Sequence, residues 1–143
     1  VTMMTKKYEI LLKYIKDLSV EIPSPEVFIF SKEFITKYSL GINVTTEPMK
    51  NSMLEVITKL HYKDPSENKR KSYFEISYGT VIKILDKNLE KKELEKIILV
   101  EVQNKIYPEL EKIFLSTIKN AGFPDLHLEK KIDFEKLYKQ KLS

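Results

Sequence analysis

Few side chains in this sequence could carry chemistry, and their spacing decides which kind. Asp17 and Glu21 are two carboxylates four positions apart, the residue types of a general acid–base pair. The segment around them alternates with period two, however, so it is extended, and at about 3.3 Å per residue the two stand about 13 Å apart. That is too far for the shared work of a glycosidase pair. The two histidines, His61 and His127, have no cysteine and no acidic cluster at ligand spacing to join them, so each reads as a surface or partly buried structural residue. Gly41, Gly79 and Gly122 are dispersed, and no glycine-rich loop is left to cradle a phosphate. The expectation is therefore a protein that is not an enzyme, with no catalytic residue, no metal and no cofactor.

Composition narrows the classes further. A length of 143 residues suits one domain, residues 1–143, because a second core would be starved of apolar side chains. Hydrophobic residues at 42% against 32% charged can bury a core and still solvate a surface. The absence of cysteine removes any disulfide framework and suits a reducing compartment. The apolar run near the N-terminus is broken by Glu9 and is too short for a signal-peptide core, and nothing approaches the length of a membrane-spanning helix; a cytoplasmic location is expected. The net charge of +4, with a pI near 9.0, raises nucleic acid as a partner. Yet Arg70 is the one arginine, and arginine is the residue that forks onto phosphate and guanine; diffuse lysines read as a solvated surface.

The elements that must position these residues follow from periodicity. Four stretches alternate as strands: 12–22, with Leu12, Tyr14, Leu18, Val20 and Ile22 on one side and Asp17, Ser19 and Glu21 on the other; 35–45; 54–62; and 73–84, with Phe74, Ile76, Tyr78, Ile82 and Ile84 opposite Glu75, Ser77 and Lys83. Pro23-Ser24-Pro25 ends the first, Glu47 to Ser52 supplies a turn, and the hydrophilic residues 63–71 link the last two. Short polar connections imply antiparallel neighbours, and the simplest sheet is a four-stranded meander. After residue 86 the period becomes helical across 90–121, with Pro108 either opening a second helix or kinking one long one. Gly122 is placed as a cap and Pro124 as a stop; Asp133 caps a short helix over 134–142 that presents Phe134, Leu137, Tyr138 and Leu142. Strands first and helices afterwards make the fold class α+β.

Two separated motifs then coincide with a known family. The run Tyr14-Ile15-Lys16-Asp17-Leu18-Ser19-Val20-Glu21-Ile22-Pro23, soon followed by Val27-Phe28, resembles the first strand and turn of SecB chaperones. Farther on and in the same order, Ile106-Tyr107-Pro108, then Gly122-Phe123-Pro124-Asp125-Leu126-His127-Leu128, then Ile132-Asp133-Phe134-Glu135-Lys136-Leu137-Tyr138 are similar to that family's later motifs. Leu54-Glu55-Val56 and Phe74-Glu75-Ile76-Ser77-Tyr78-Gly79 resemble its third and fourth strands. The likeness runs from about residue 12 to residue 142.

The resemblance implies a homotetramer, a dimer of dimers, that holds unfolded preproteins in apolar grooves and passes them to the SecA motor. It places a motor-binding face at Asp17, Glu21, Tyr73 and Glu75, of which the alternation also sets Asp17, Glu21 and Glu75 on the polar side of their strands; the plain alternative is that these three carboxylates keep an exposed sheet soluble. It assigns Phe74, Ile76 and Tyr78 to subunit assembly, with packing inside one subunit as the alternative. For the client groove the candidates are Phe34, Tyr38, Leu40, Ile42, Tyr107 and Phe123, since a site that accepts any unfolded segment needs aromatic and flexible aliphatic surface. This chain departs from typical members in being basic, in ending at Lys141-Leu142-Ser143 without an acidic tail, and in the charged run Lys91-Lys92-Glu93-Leu94-Glu95-Lys96. Those departures leave open a SecB-like protein serving a toxin–antitoxin pair, and, in another class, a lysine-rich nucleic-acid module.

Overall fold

The structure, a computed structural model, describes residues 6–65, 72–128 and 132–142. Residues 66–71 of the expected hydrophilic link and the first five residues lie outside that range. In chain order the elements are β1 (Tyr8–Glu21), α1 (Pro25–Phe34), a 3-10 turn (Ile35–Lys37), β2 (Ser39–Pro48), β3 (Met53–Lys63), β4 (Tyr73–Ile84), α2 (Lys91–Lys96), a π-helical turn (Ile97–Glu101), α3 (Val102–Asn120) and α4 (Phe134–Leu142). The α+β class and the four-stranded antiparallel sheet are as the sequence predicts.

The strand order is a correction. It runs β1-β4-β3-β2, so only β2, β3 and β4 form a meander, and β1 lies beside β4. The β2–β3 hairpin is tight because Asn51 and Ser52 take φ of 63° and 61°, the left-handed pair of a type I′ turn. No such turn joins β1 to β2. Ser24, Pro25 and Glu26 start a helix there instead: the Ser24 hydroxyl accepts the Val27 N–H at 3.2 Å, Pro25 occupies the first turn, where its missing N–H costs nothing, and Glu26 favours the positive end of the helix dipole. With α1 as the connection, the chain crosses the sheet end and β1 closes a Greek-key arrangement.

One face of the sheet holds the core. Leu60, Tyr62, Phe74, Ile76, Tyr78 and Ile82 point to it, and α3 covers it with Ile106, Leu110, Phe114 and Ile118, one residue per turn. The helix passes through Pro108 without restarting, and the π-helical turn lies just upstream of α3. Gln103, fully buried, donates from Nε2 to the Ile98 carbonyl at 3.1 Å and accepts the Thr58 hydroxyl at 3.0 Å, tying that turn to β3. Gly122 follows α3 with φ of 113°, the left-handed geometry a helix stop uses.

β1 does not keep a single apolar face. Its pairing with β4 shifts register between Ile10 and Leu12 and again between Ile15 and Asp17. Each bulge inserts one residue and reverses the alternation. Leu12 and Tyr14 therefore share a face with Asp17, Ser19 and Glu21, while Ile15, Leu18 and Val20 share the core face of Phe74, Ile76 and Tyr78.

Candidate functional site: an apolar groove along a sheet edge

The edge strand β2 turns Leu40, Ile42 and Val44 toward the core face, beside Tyr62, Leu60 and Thr58 of β3. Just before it, the 3-10 turn is fixed by the Tyr62 hydroxyl, which donates to the Ile35 carbonyl at 2.6 Å. Tyr38 is fixed in turn: its hydroxyl donates to Ser31 at 3.1 Å, Ser31 pairs with Ser72 at 2.7 Å, and its ring lies 5.4 Å from that of Tyr62. Opposite, the segment after α3 brings Leu126 and Leu128 across, and α4 closes the far side with Leu137 and Lys136. Between these walls lies an open groove of about 880 Å³, with Thr36, His127, Ile132, Asp133 and Gln140 completing its lining. A smaller recess of about 220 Å³ continues it past Ile42 to Val44, Leu99, Phe134 and Tyr138.

Three of the six groove candidates, Tyr38, Leu40 and Ile42, line this space. The other three do not. Tyr107 is buried with its ring 5.4 Å from Phe134, and burial pushes its hydroxyl far above the usual tyrosine range. Phe123 is 3% exposed, wedged between Phe28 at 4.9 Å and Phe74 at 5.3 Å. Phe34 is partly exposed at the end of α1, stacked on Phe30 at 4.7 Å and outside the groove lining. Missed from the sequence were Leu126, Leu128 and Leu137; the alternation Leu-His-Leu after the cap at Gly122 was the available signal, because one extended turn of chain puts both leucines on one side.

The four candidates for a motor-binding face do gather on the solvent side of the sheet. Glu21 is the cross-strand partner of Tyr73, Asp17 of Ser77, and Glu75 stands between Ser19 and His61. Burial, the neighbouring Glu75 and then Glu21 push the Tyr73 hydroxyl above its ordinary value. The face is not purely acidic, since Lys59 meets Glu75 at 3.2 Å. His61 lies over Gly41 on this face, and His127 lies in the groove wall; among the described residues no group of acidic or histidine side chains could hold a metal ion.

The expected assembly residues take the alternative placement, packing inside one subunit. Phe74 and Ile76 have no exposed area and Tyr78 is 4% exposed, all beneath the helices of their own chain. Exposed apolar side chains sit on β1 instead: Leu12, Ile15 and Leu18 among them, at 59%, 46% and 45%.

Comparison with known proteins shows the family and the fold. The family model described as preprotein translocase subunit SecB matches residues 2–143. A putative protein-export protein SecB of Pelagibacter ubique is 46% identical over 138 residues, 96% of this chain and 99% of that one. A protein-export protein SecB of Rhodopseudomonas palustris is 29% identical over 133 residues, covering 93% and 79%. Among solved structures, the Mycobacterium tuberculosis SecB-like chaperone in complex with an antitoxin peptide superposes with a TM-score of 0.65 over 88% of each chain, at 13% identity, a likeness of fold. From a family match along almost the whole length and a near-full-length relative at this identity, the chain belongs to the SecB family of protein-export chaperones.

Proposed function

We propose that this protein is a holdase that keeps unfolded preproteins extended along the β2 groove and delivers them to the SecA motor from a homo-oligomer. The groove is the observation that carries the reading. Most of its lining is tyrosine, leucine and isoleucine, with Thr36, His127, Asp133, Lys136 and Gln140 among them, so each client side chain laid on the apolar part gains about 25 cal/mol per Å² of apolar surface, whatever its order in the chain. β2 also ends the sheet, and an edge strand offers main-chain hydrogen bonds that read no sequence. Such contacts suit a client that must be held without being selected residue by residue.

The motor is proposed to dock on Asp17, Glu21, Tyr73 and Glu75, on the side of the sheet away from the groove, so that client and motor can be held together. Subunits are proposed to associate through β1, whose unpaired edge and exposed apolar side chains would aggregate if left bare. The antitoxin-serving alternative is not favoured, since the likeness to the mycobacterial protein is one of fold and the departures in charge name no client.

The test is a titration with a reduced, unfolded precursor followed by fluorescence anisotropy. Saturable binding is expected, together with a loss of at least about tenfold in Ile42→Asp, because a charge would stand in the apolar floor. Undiminished binding by a folded Ile42→Asp variant would remove the groove from the mechanism. Charge reversal at Asp17 and Glu75 is expected to abolish binding to SecA and leave client binding intact.

A further inference from the structure

Two lysines stand on the α4 side of the groove, and the carboxylates beside them on α4 have other partners. Lys136 belongs to the α4 wall and Lys139 is exposed one turn farther along, whereas the Lys37 amine lies 5.5 Å from the Phe34 ring centre, outside the lining. Asp133 in the lining accepts the Lys136 backbone N–H at 3.1 Å and so caps α4, its charge placed against the positive end of that helix. Glu135 meets Lys96 at 3.7 Å, and Asp125 meets Lys119 at 3.1 Å. Among the described residues no carboxylate pairs with the amine of Lys136 or Lys139. The net charge of +4 adds a field of the same sign at longer range.

We infer that the groove prefers extended apolar segments flanked by acidic residues, the apolar side chains lying on Leu40, Ile42, Leu126 and Leu128 and the flanking carboxylates meeting Lys136 and Lys139. The inference rests on the client-groove reading above and adds a substrate class to it. A segment flanked by lysine or arginine would bring like charge to the same lysines, and that repulsion is what sets partners apart. The apolar floor still supplies the affinity, so the selection acts on charge around a segment and not on its order.

Three labelled peptides test this. They share one apolar core and carry paired aspartates, serines or lysines at both ends; each is titrated at about 0.05 M and about 0.3 M salt, between which the screening length falls by more than half. The expected order is aspartate, serine, lysine, with the extremes separated by about tenfold at low salt, the worth of two exposed ion pairs, and by less at high salt. The double variant Lys136→Glu with Lys139→Glu, its fold checked by circular dichroism, is expected to compress or invert that ratio. Equal affinity for the acidic and basic peptides, or a ratio that the double variant leaves unchanged, overturns the charge preference while the groove stands. An acidic peptide with serines replacing its core that binds as well as the full one also overturns it, by showing plain electrostatic adhesion. If none of the three peptides binds, the groove reading itself fails and takes the preference with it.

Discussion

Tyr14 shows how one side chain can hold an edge strand in place. On the face shared by β1, β4 and β3 its ring crosses Gly79, where a Cβ would lie 2.5 Å from ring atoms, and its hydroxyl donates to Glu55, which Lys16 also meets at 2.9 Å. Gly79→Ala must push that ring aside, and a loss of about 1–3 kcal/mol in urea unfolding is expected, the usual cost of forcing extra volume into a packed site. The bond to Tyr14, then that to Lys16, holds the Glu55 carboxyl below its ordinary 4.5, while the tyrosine is pushed up to about 12. A depressed carboxyl stabilises the fold fully above its unfolded value and loses that contribution as pH falls through the folded one. In Tyr14→Phe the Glu55 titration, followed by NMR, is therefore expected to move upward, and acid unfolding to begin at higher pH; an unmoved titration would leave Lys16 as the sole cause. Single residues were legible in the sequence only in part. Alternation assigned Tyr38, Leu40 and Ile42 to a face, but the same apolar character fits Tyr107 and Phe123, and only the packing of Phe28, Phe74 and Phe134 shows that those rings are covered.

Periodicity carried the strands and the long helix because their buried faces repeat over many residues. It failed at α1, ten residues with VFIF among them, which begins on the second of two prolines that read first as a strand stop. The start signal was present in Ser24-Pro25-Glu26, and its weight can be measured: Ser24→Ala is expected to cost about 1 kcal/mol by removing the acceptor for the Val27 N–H, read as a shift in the urea midpoint. That helix decides topology as well, since it takes the place of a hairpin and sends β1 to the far side of β4. The bulges in β1 had a trace too, as Lys16 interrupts the run of apolar even-numbered positions from Leu12 to Leu18. The π-helical turn had none, because its support is tertiary. Gln103→Leu removes both hydrogen bonds and leaves the buried Thr58 hydroxyl and Ile98 carbonyl short of a partner; a cost of about 1–3 kcal/mol is expected, and one near zero would mean the turn forms without the link to β3.

At the scale of the whole molecule, the weak point of one chain is also its means of working. Leu12 and Tyr14 on one face of β1, and Ile15, Leu18 and Val20 on the other, are too exposed for a strand that stands alone at a sheet edge. Covering them against a second copy would hide the edge and set two grooves on one assembly. A long unfolded client could then occupy several grooves, the second contact forming at the high effective concentration set by the first. Lysine at Ile15 and Leu18 adds charge to that edge, the device by which natural sheets stay apart. The double variant is expected to scatter light as a smaller particle while keeping the fold of each chain. Its affinity for a short apolar peptide, which fills one groove, should change little, whereas affinity for a full-length unfolded precursor should fall by about 10²–10⁴, the part that multivalency supplies. A variant that keeps its mass places the interface elsewhere on the molecule. One that shrinks yet holds long and short clients equally well shows that each groove works alone, and assembly then serves only to protect the edge.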